Sequence, residues 1–339
     1  MKNWFRRSLI LTLALILAAA PVLAEENAEI VPVLELPEPT KKGEYAVLSP
    51  AEDAYIGPHA KNYLTSRGEK TPHGYADPSI TVNIGTGRIY KTNYMYARVK
   101  IYSPMQIRTM MASDSLKKEV TVMGHLLAKR VKAVVAINGI LEADDMIAGP
   151  VVRQGVWLRP DGKASANREE NWKRQTGVDT LVIDDAGDLV ILESDTWGNI
   201  LAKIEEMGSR AVNVLSFGPA LVVNGEPRYG YKNRQMSSHR LAQRSAICQT
   251  GPLEYLLITS EGPEDPGSEG LKLDQFLDLI MTFPDVKTAY NLDGGSSTTL
   301  IFRKGTATWA KINCPKSGKK RALRDLIYFA DAWLPSGKK

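Results

Sequence analysis

The sequence predicts an α+β fold: a strand-rich single domain with a mixed, mostly antiparallel sheet and a few packed helices. Three observations predict it. Segments of apolar alternation or unbroken apolar runs recur along most of the chain, as in Ile80–Ile84 and Ala133–Ile137. Turn formers such as Gly85-Thr86-Gly87 and Asn224-Gly225 separate them. Helical spacing appears in only three stretches, without the strand–helix alternation of a doubly wound sheet. The 339 residues, 43% of them hydrophobic, suffice for one large domain or two ordinary ones. They exclude global disorder, collagen and a disulfide-dense scaffold.

From the N-terminus, Lys2, Arg6 and Arg7 precede an apolar run over Ser8–Ala20, closed by Pro21 and the small-residue end Val22-Leu23-Ala24. That pattern predicts a signal peptide over 1–24 with cleavage after Ala24, and a secreted or periplasmic product with no membrane span afterwards. The formal charge of +5 then falls to 40 basic against 38 acidic residues, so no nucleic-acid partner is expected. Residues 25–44, with Pro32, Pro37 and Pro39 among acidic residues, read as a linker, and 45–79 as an N-terminal extension.

The main domain is expected over 80–335. Ile80–Ile84 and Tyr94–Tyr102 form a strand pair. Ser113 or Ser115 caps a helix running to about Arg130, with Leu116, Val120, Met123, Leu126 and Leu127 on one face. A buried strand, Ala133–Ile137, runs into Asn138-Gly139. Further strands cover Val151–Leu158 and Asp179–Leu192, the latter turning at Asp184–Gly187. A short helix over Ile200–Glu206 precedes strands Val212–Phe217 and Leu221–Val223. The last helix carries a core stripe of Leu273, Phe276, Leu277 and Ile280. Cys248 and Cys314 either pair, as an exported chain permits, or stay as thiols, Cys248 in an apolar run. Neither has metal-ligand spacing, and His59, His73, His125 and His239 are scattered, so no structural zinc is expected.

Four segments carry candidate chemistry. In Asn291-Leu292-Asp293-Gly294-Gly295-Ser296-Ser297-Thr298-Thr299, a strand ends in a carboxylate, two glycines and a run of hydroxyls. Such a loop is either a tight Asp-Gly hairpin turn or a nest of backbone N–H groups for an anion. Asn138-Gly139 and Phe217-Gly218-Pro219 repeat the motif of a strand feeding a glycine turn, where Asn is also an ordinary turn former. Arg244 opens an apolar strand, and its planar guanidinium suits bidentate binding of phosphate or carboxylate.

Together these segments, in this order, resemble the phosphodiester glycosidase family. Asn291–Thr298 is similar to its Asn-Leu-Asp-Gly-Gly-Gly-Ser-Ser-Thr signature with one Gly fewer, and Ala136–Gly139 to its Ala-Ile-Asn-Gly-Gly-Phe-Phe. Phe217–Gly225 resembles its Gly-Pro-x-Leu-Val strand, Arg244–Ile247 its Arg-Thr-Ala-Ile-Gly, and Gly267–Gly270 the turn ahead of its helix. The chain departs from the family at Ile140-Leu141-Glu142, which replaces Gly-Phe-Phe, at Gln243, and at Cys248, which replaces a Gly.

The resemblance implies an exported hydrolase cleaving a sugar-1-phosphodiester in a glycan or cell-envelope polymer. It implies Asp293 as general base or nucleophile, Asn138 on a sugar hydroxyl or the water, and Arg244 on the phosphate. Gly294, Gly295 and Ser296 would add backbone donors and Ser297 and Thr298 hydroxyls, with Gly139 and Gly218 lining the site. Glu142, Asp144 and Asp145 are candidates for a second carboxylate. No cofactor is expected, and a divalent metal on these carboxylates stays open. Two other readings stand beside this one. One is a catalytically silent glycan- or cell-wall-binding protein on the same scaffold. The other is a penicillin-binding type of acyl transferase using Ser115 and Lys118, with Ser165-Ala166-Asn167 and Lys316-Ser317-Gly318 as its further motifs.

Overall fold

The computed structural model describes residues 29–30, 58–66, 72–112, 120–140, 149–159, 177–230, 238–304, 308–314 and 321–334. Three antiparallel sheets dominate. The largest has nine strands and includes Ile80–Ile89, Thr92–Ile101, Glu254–Ser260, Ser245–Gly251 and Thr288–Asn291 as successive neighbours. A five-stranded sheet contains Val135–Asn138 between Leu300–Lys304 and Asp325–Phe329. A second five-stranded sheet contains Val151–Arg153 beside Ala211–Ser216, which pairs in turn with Thr180–Asp184.

Period-two burial places the core. Val135, Ile137, Ile327 and Phe329 face inward from one sheet, Leu181, Ile183 and Leu215 from another, and Val82, Val99, Ile247 and Leu257 from the largest. Their alternate neighbours point outward and are covered by helices. Helix α1 (Gly124–Arg130) lies over Ala136, Ile301 and Leu326. Helix α2 (Trp197–Met207) lies over Val152, Val182 and Val214. Helix α3 (Leu273–Met281) lies over Ala246, Cys248 and Ile258. Each sheet thus shares one inner core and has one helix on its back, the layering that buries both faces of a strand.

Local chemistry explains the details. Opposite Gly85 and Gly87 sit the rings of Tyr96 and Tyr94, and a Cβ at either glycine would fall 2.2 Å from ring atoms. Thr196 caps α2 by accepting the Asn199 N–H at 3.2 Å, so this helix starts ahead of Ile200, through a Trp-Gly-Asn stretch that lacks helical spacing.

The structure differs from the sequence expectations at the start of α1 and refines three others. The pairings within all three sheets are antiparallel, with no parallel component among the described residues. The helix expected from Ser113 or Ser115 begins only at Gly124, because Val122–Met123 pair as a short strand with Ala322–Leu323. Val120 and Leu126 are exposed rather than on its buried face, and 113–119 lie outside the described residues. Part of the N-terminal extension is sheet: Tyr63–Leu64 and Gly74–Ala76 continue the nine-stranded sheet past Ile80–Ile89. Cys248 and Cys314 are separate buried thiols, and burial pushes the Cys314 thiol up to about 12. The leader 1–24, the linker 25–44 except Glu29 and Ile30, Ser115, Lys118, Glu142, Asp144, Asp145, 165–167 and 316–318 also lie outside the described residues.

Candidate active site

The segment Leu292–Thr299 carries the chain from the nine-stranded sheet to the five-stranded one, so Asp293 stands where two sheets meet. Its backbone is fixed from three sides. The Asp293 N–H donates to the Gly139 carbonyl at 3.2 Å, and its own carbonyl accepts from Asn138 Nδ2 at 2.8 Å and Ser245 Oγ at 2.6 Å. Asn138 ends the Val135–Asn138 strand, so the two strand tips singled out in the sequence are joined directly. Asn138 Nδ2 also reaches the Gly139 carbonyl and Oδ1 accepts the Thr299 N–H at 3.0 Å. Its amide is committed to backbone, which makes Asn138 the residue that positions Asp293.

The Asp293 carboxyl is half-buried on a cavity of about 170 Å³, whose lining includes Asn138, Ser297, Arg321, Arg324 and Asp325. Burial raises its pKa above the ordinary aspartate range, opposed by the Ser297 hydroxyl, the Arg321 charge and the Gly294 N–H. Arg321 is exposed at the rim and donates from Nη1 to Ser296 Oγ at 3.2 Å. Asp325 opens the strand next to Asn138. One of its oxygens accepts the Ile140 N–H at 3.0 Å, and the other meets Nη2 of Arg153, fully buried in the third sheet, at 3.0 Å. Gly139 has to be glycine here: a Cβ would fall 2.3 Å from the Asp325 carboxylate. The third sheet thus reaches this pocket only through Asp325.

The other predicted residues lie around it. The amides of the glycine loop turn inward: Gly294 N–H meets the Asp293 carboxylate, Gly295 N–H the Gln243 carbonyl at 2.9 Å, and Thr298 N–H the Gly295 carbonyl at 3.1 Å. They form a tight 3₁₀ turn over Gly295–Ser297, with Gly295 at φ 56°. Thr298 is fully buried and off the cavity. Gly218 supports the site from behind, its carbonyl accepting from Asn291 Nδ2 at 2.9 Å. Arg244 is not on the cavity wall. Its Nε donates to the Leu271 carbonyl at 3.0 Å and Nη2 to Arg240 at 2.7 Å, and burial lowers its pKa to about 10.

Sequence reasoning missed Arg321, Arg324 and Asp325. The available signal was two arginines and an aspartate within five residues, at the start of the apolar strand Asp325–Phe329. Among the described residues, no three His, Cys, Asp or Glu gather into a site for a metal ion. No described helix is long and apolar enough to cross a membrane.

The fold is similar to that of the zebrafish N-acetylglucosamine-1-phosphodiester alpha-N-acetylglucosaminidase catalytic domain, solved auto-inhibited by its pro-peptide. That likeness has a TM-score of 0.55 at 16% identity, covering 77% of this chain and 87% of that one. A hypothetical protein from Synechocystis has a TM-score of 0.49 at 16% identity, covering 76% of this chain and 62% of the other. Among curated proteins none matches. Residues 131–330 match the model of the phosphodiester glycosidase family, and the chain belongs to that family.

Proposed function

We propose that the protein is an exported hydrolase that cleaves a sugar-1-phosphodiester in a glycan or cell-envelope polymer. One observation carries this reading: a carboxyl of raised pKa, Asp293, shares a small cavity with two arginines in a chain of the phosphodiester glycosidase family. Export rests on the leader pattern of Lys2, Arg6, Arg7 and the apolar run to Ala20.

In this mechanism Asp293 is the general base. Water attacks the anomeric carbon, the C1–O bond breaks with its electron pair going to the phosphate oxygen, and the water proton passes to Asp293. The departing phosphomonoester is already an anion, so it needs charge stabilisation more than an acid. Arg321 and Arg324 supply that charge. Both Asp325 oxygens are held by Arg153 and Ile140, so Asp325 fixes the Gly139 wall. No cofactor enters any step.

The test is release of reducing sugar and phosphomonoester from a panel of sugar-1-phosphodiesters. Asp293→Asn should abolish it and Ser115→Ala should spare it. A panel left uncleaved but still bound, with ligand line-broadening intact, would instead make this a glycan-binding protein. Loss of turnover in Ser115→Ala would revive the acyl-transferase reading.

A further inference from the structure

Asp293 is not alone at its end of the nine-stranded sheet. The register runs outward from Asn291 to Ala246, and then from Ser245 through Thr259 and Met95 to Thr86. Beyond that row, Ser260 N–H donates to the Arg244 carbonyl at 2.9 Å and Glu261 N–H to the Asn93 carbonyl at 2.8 Å. Glu261 therefore follows the Glu254–Ser260 strand much as Asp293 follows Thr288–Asn291, with one strand, Ser245–Gly251, between them. Two strand spacings place their backbones on the order of 10 Å apart.

Here the structure holds a second cavity, of about 360 Å³, lined by residues that include Thr86, Asn93, Tyr94, Met95, Glu261 and Asn313. That volume lies within the usual range of small-molecule sites. Asn313 links the two cavities: its Oδ1 accepts the Leu300 N–H at 2.7 Å and its Nδ2 donates to the Thr298 carbonyl at 3.1 Å, so it braces the far side of the Asp293 loop.

The telling group is Glu261. It is 93% buried, with a relative exposure of only 7%. Its Oε2 accepts from Asn93 Nδ2 at 2.8 Å and Ser268 Oγ at 2.6 Å, which fixes the carboxylate in one orientation. Oε1 receives no hydrogen bond from a described residue. Oε1 is not among the fully buried atoms without a partner, so it opens to the cavity, where a ligand hydroxyl can reach it. On the same sheet face, the wall offers the Met95 side chain as apolar surface, while Thr86 stands exposed at the mouth. An open acceptor, the Met95 surface and small-molecule volume, with Arg88 also on the wall, together describe a receptor for a hydroxyl-bearing ring such as a sugar.

We propose that this cavity is a saccharide subsite, in which Glu261 Oε1 accepts a sugar hydroxyl and holds a neighbouring unit of a glycan whose reacting bond lies at Asp293. The glycan as ligand class rests on the proposed hydrolase reading; the receptor geometry does not. The experiment is saturation-transfer NMR of the full exported chain with methyl α-glucopyranoside, methyl α-mannopyranoside and N-acetylglucosamine, followed by titration of any binder. Two variants address the cavity: Glu261→Gln, and Thr86→Trp, which fills the mouth from an exposed position without touching the buried network. The expected result is at least tenfold weaker binding in both, unchanged binding in Asp293→Asn, and unchanged turnover of a small sugar-1-phosphodiester in Thr86→Trp. Binding that survives Thr86→Trp and Glu261→Gln overturns the subsite, as does binding abolished by Asp293→Asn or the absence of binding by all three sugars. Sugar binding that depends on Thr86 in a protein that cleaves no phosphodiester retains the subsite and refutes the hydrolase.

Discussion

Among the described residues two aspartates are pushed upward by burial, and one of them lines a cavity. Asp293 faces a cavity with Arg321 and Arg324 on its wall. Asp331 lies beside Asp77, takes hydrogen bonds from Tyr75 Oη at 2.7 Å and the Trp333 N–H at 2.8 Å, and lines neither cavity. Desolvation and the neighbouring Asp77 carboxylate raise Asp331 well above the usual carboxylate range. The difference teaches that a shifted carboxyl does not by itself mark chemistry. What separates the two is access and opposite charge: Asp331 ties the C-terminal strand to Tyr75 and Ser79, whereas Asp293 is held by its backbone and leaves its carboxyl to a cavity.

Substitutions should therefore split into those that remove activity and those that remove stability. The largest effect is at Asp293: Asp293→Asn should lower kcat by roughly 10²- to 10⁴-fold, the usual worth of a positioned base. Its thermal midpoint should not fall, since a buried charge is removed. Asp325→Ala comes next. It leaves the fully buried Arg153 without its counter-ion and should cost about 3–5 kcal/mol in denaturant unfolding. Arg321→Ala, at the exposed rim, should lower kcat/KM by roughly 10- to 100-fold, as expected for a hydrogen bond to a charged group, with the unfolding midpoint unchanged. Tyr75→Phe removes a donor from Asp331 and should cost about 1–3 kcal/mol with turnover intact; a loss of turnover there would erase the contrast between the two aspartates.

The smallest effect is in pH dependence. Both folded carboxyls titrate above the ordinary value of 3.8, so between that value and their raised ones the native state holds protons that the unfolded chain has released. Their stabilising contribution is full below about pH 4 and is lost as pH rises through the raised values. Unfolding measured from pH 4 upward should show this decline in the wild type and a shallower one in Asp293→Asn.

Much of the fold was legible because its signals are local. The run Ala133–Ile137 and the stripe Leu273, Phe276, Leu277 and Ile280 each report their own element, and both are buried as expected. The helix expected from Ser113 or Ser115 was misread because the short ladder between Val122–Met123 and Ala322–Leu323 joins segments far apart in the chain, which no local period records. The same division runs through the candidate site. Asp293 and Asn138 announce themselves at strand tips before glycines, and they do meet. Asp325 and Arg321 sit in a charged stretch resembling solvated surface, and only the pairing of Asp325–Phe329 with Val135–Asn138 brings them to the cavity. Arg244 illustrates the converse. A guanidinium at a strand start suits an anion, yet here it serves the carbonyls of Leu271 and Arg240, since buried carbonyls near a strand end also need donors.

In the proposed mechanism Asp293 drives water to the sugar carbon and not to phosphorus. Hydrolysis of a sugar-1-phosphodiester in ¹⁸O-labelled water, read by mass spectrometry of both products, tests it most directly. Label is expected in the released sugar, at C1, and none in the phosphomonoester, with no incorporation above background in Asp293→Asn. Label in the phosphomonoester would mean P–O cleavage, and would contradict the assignment of Asp293 and the two arginines to a glycosidase.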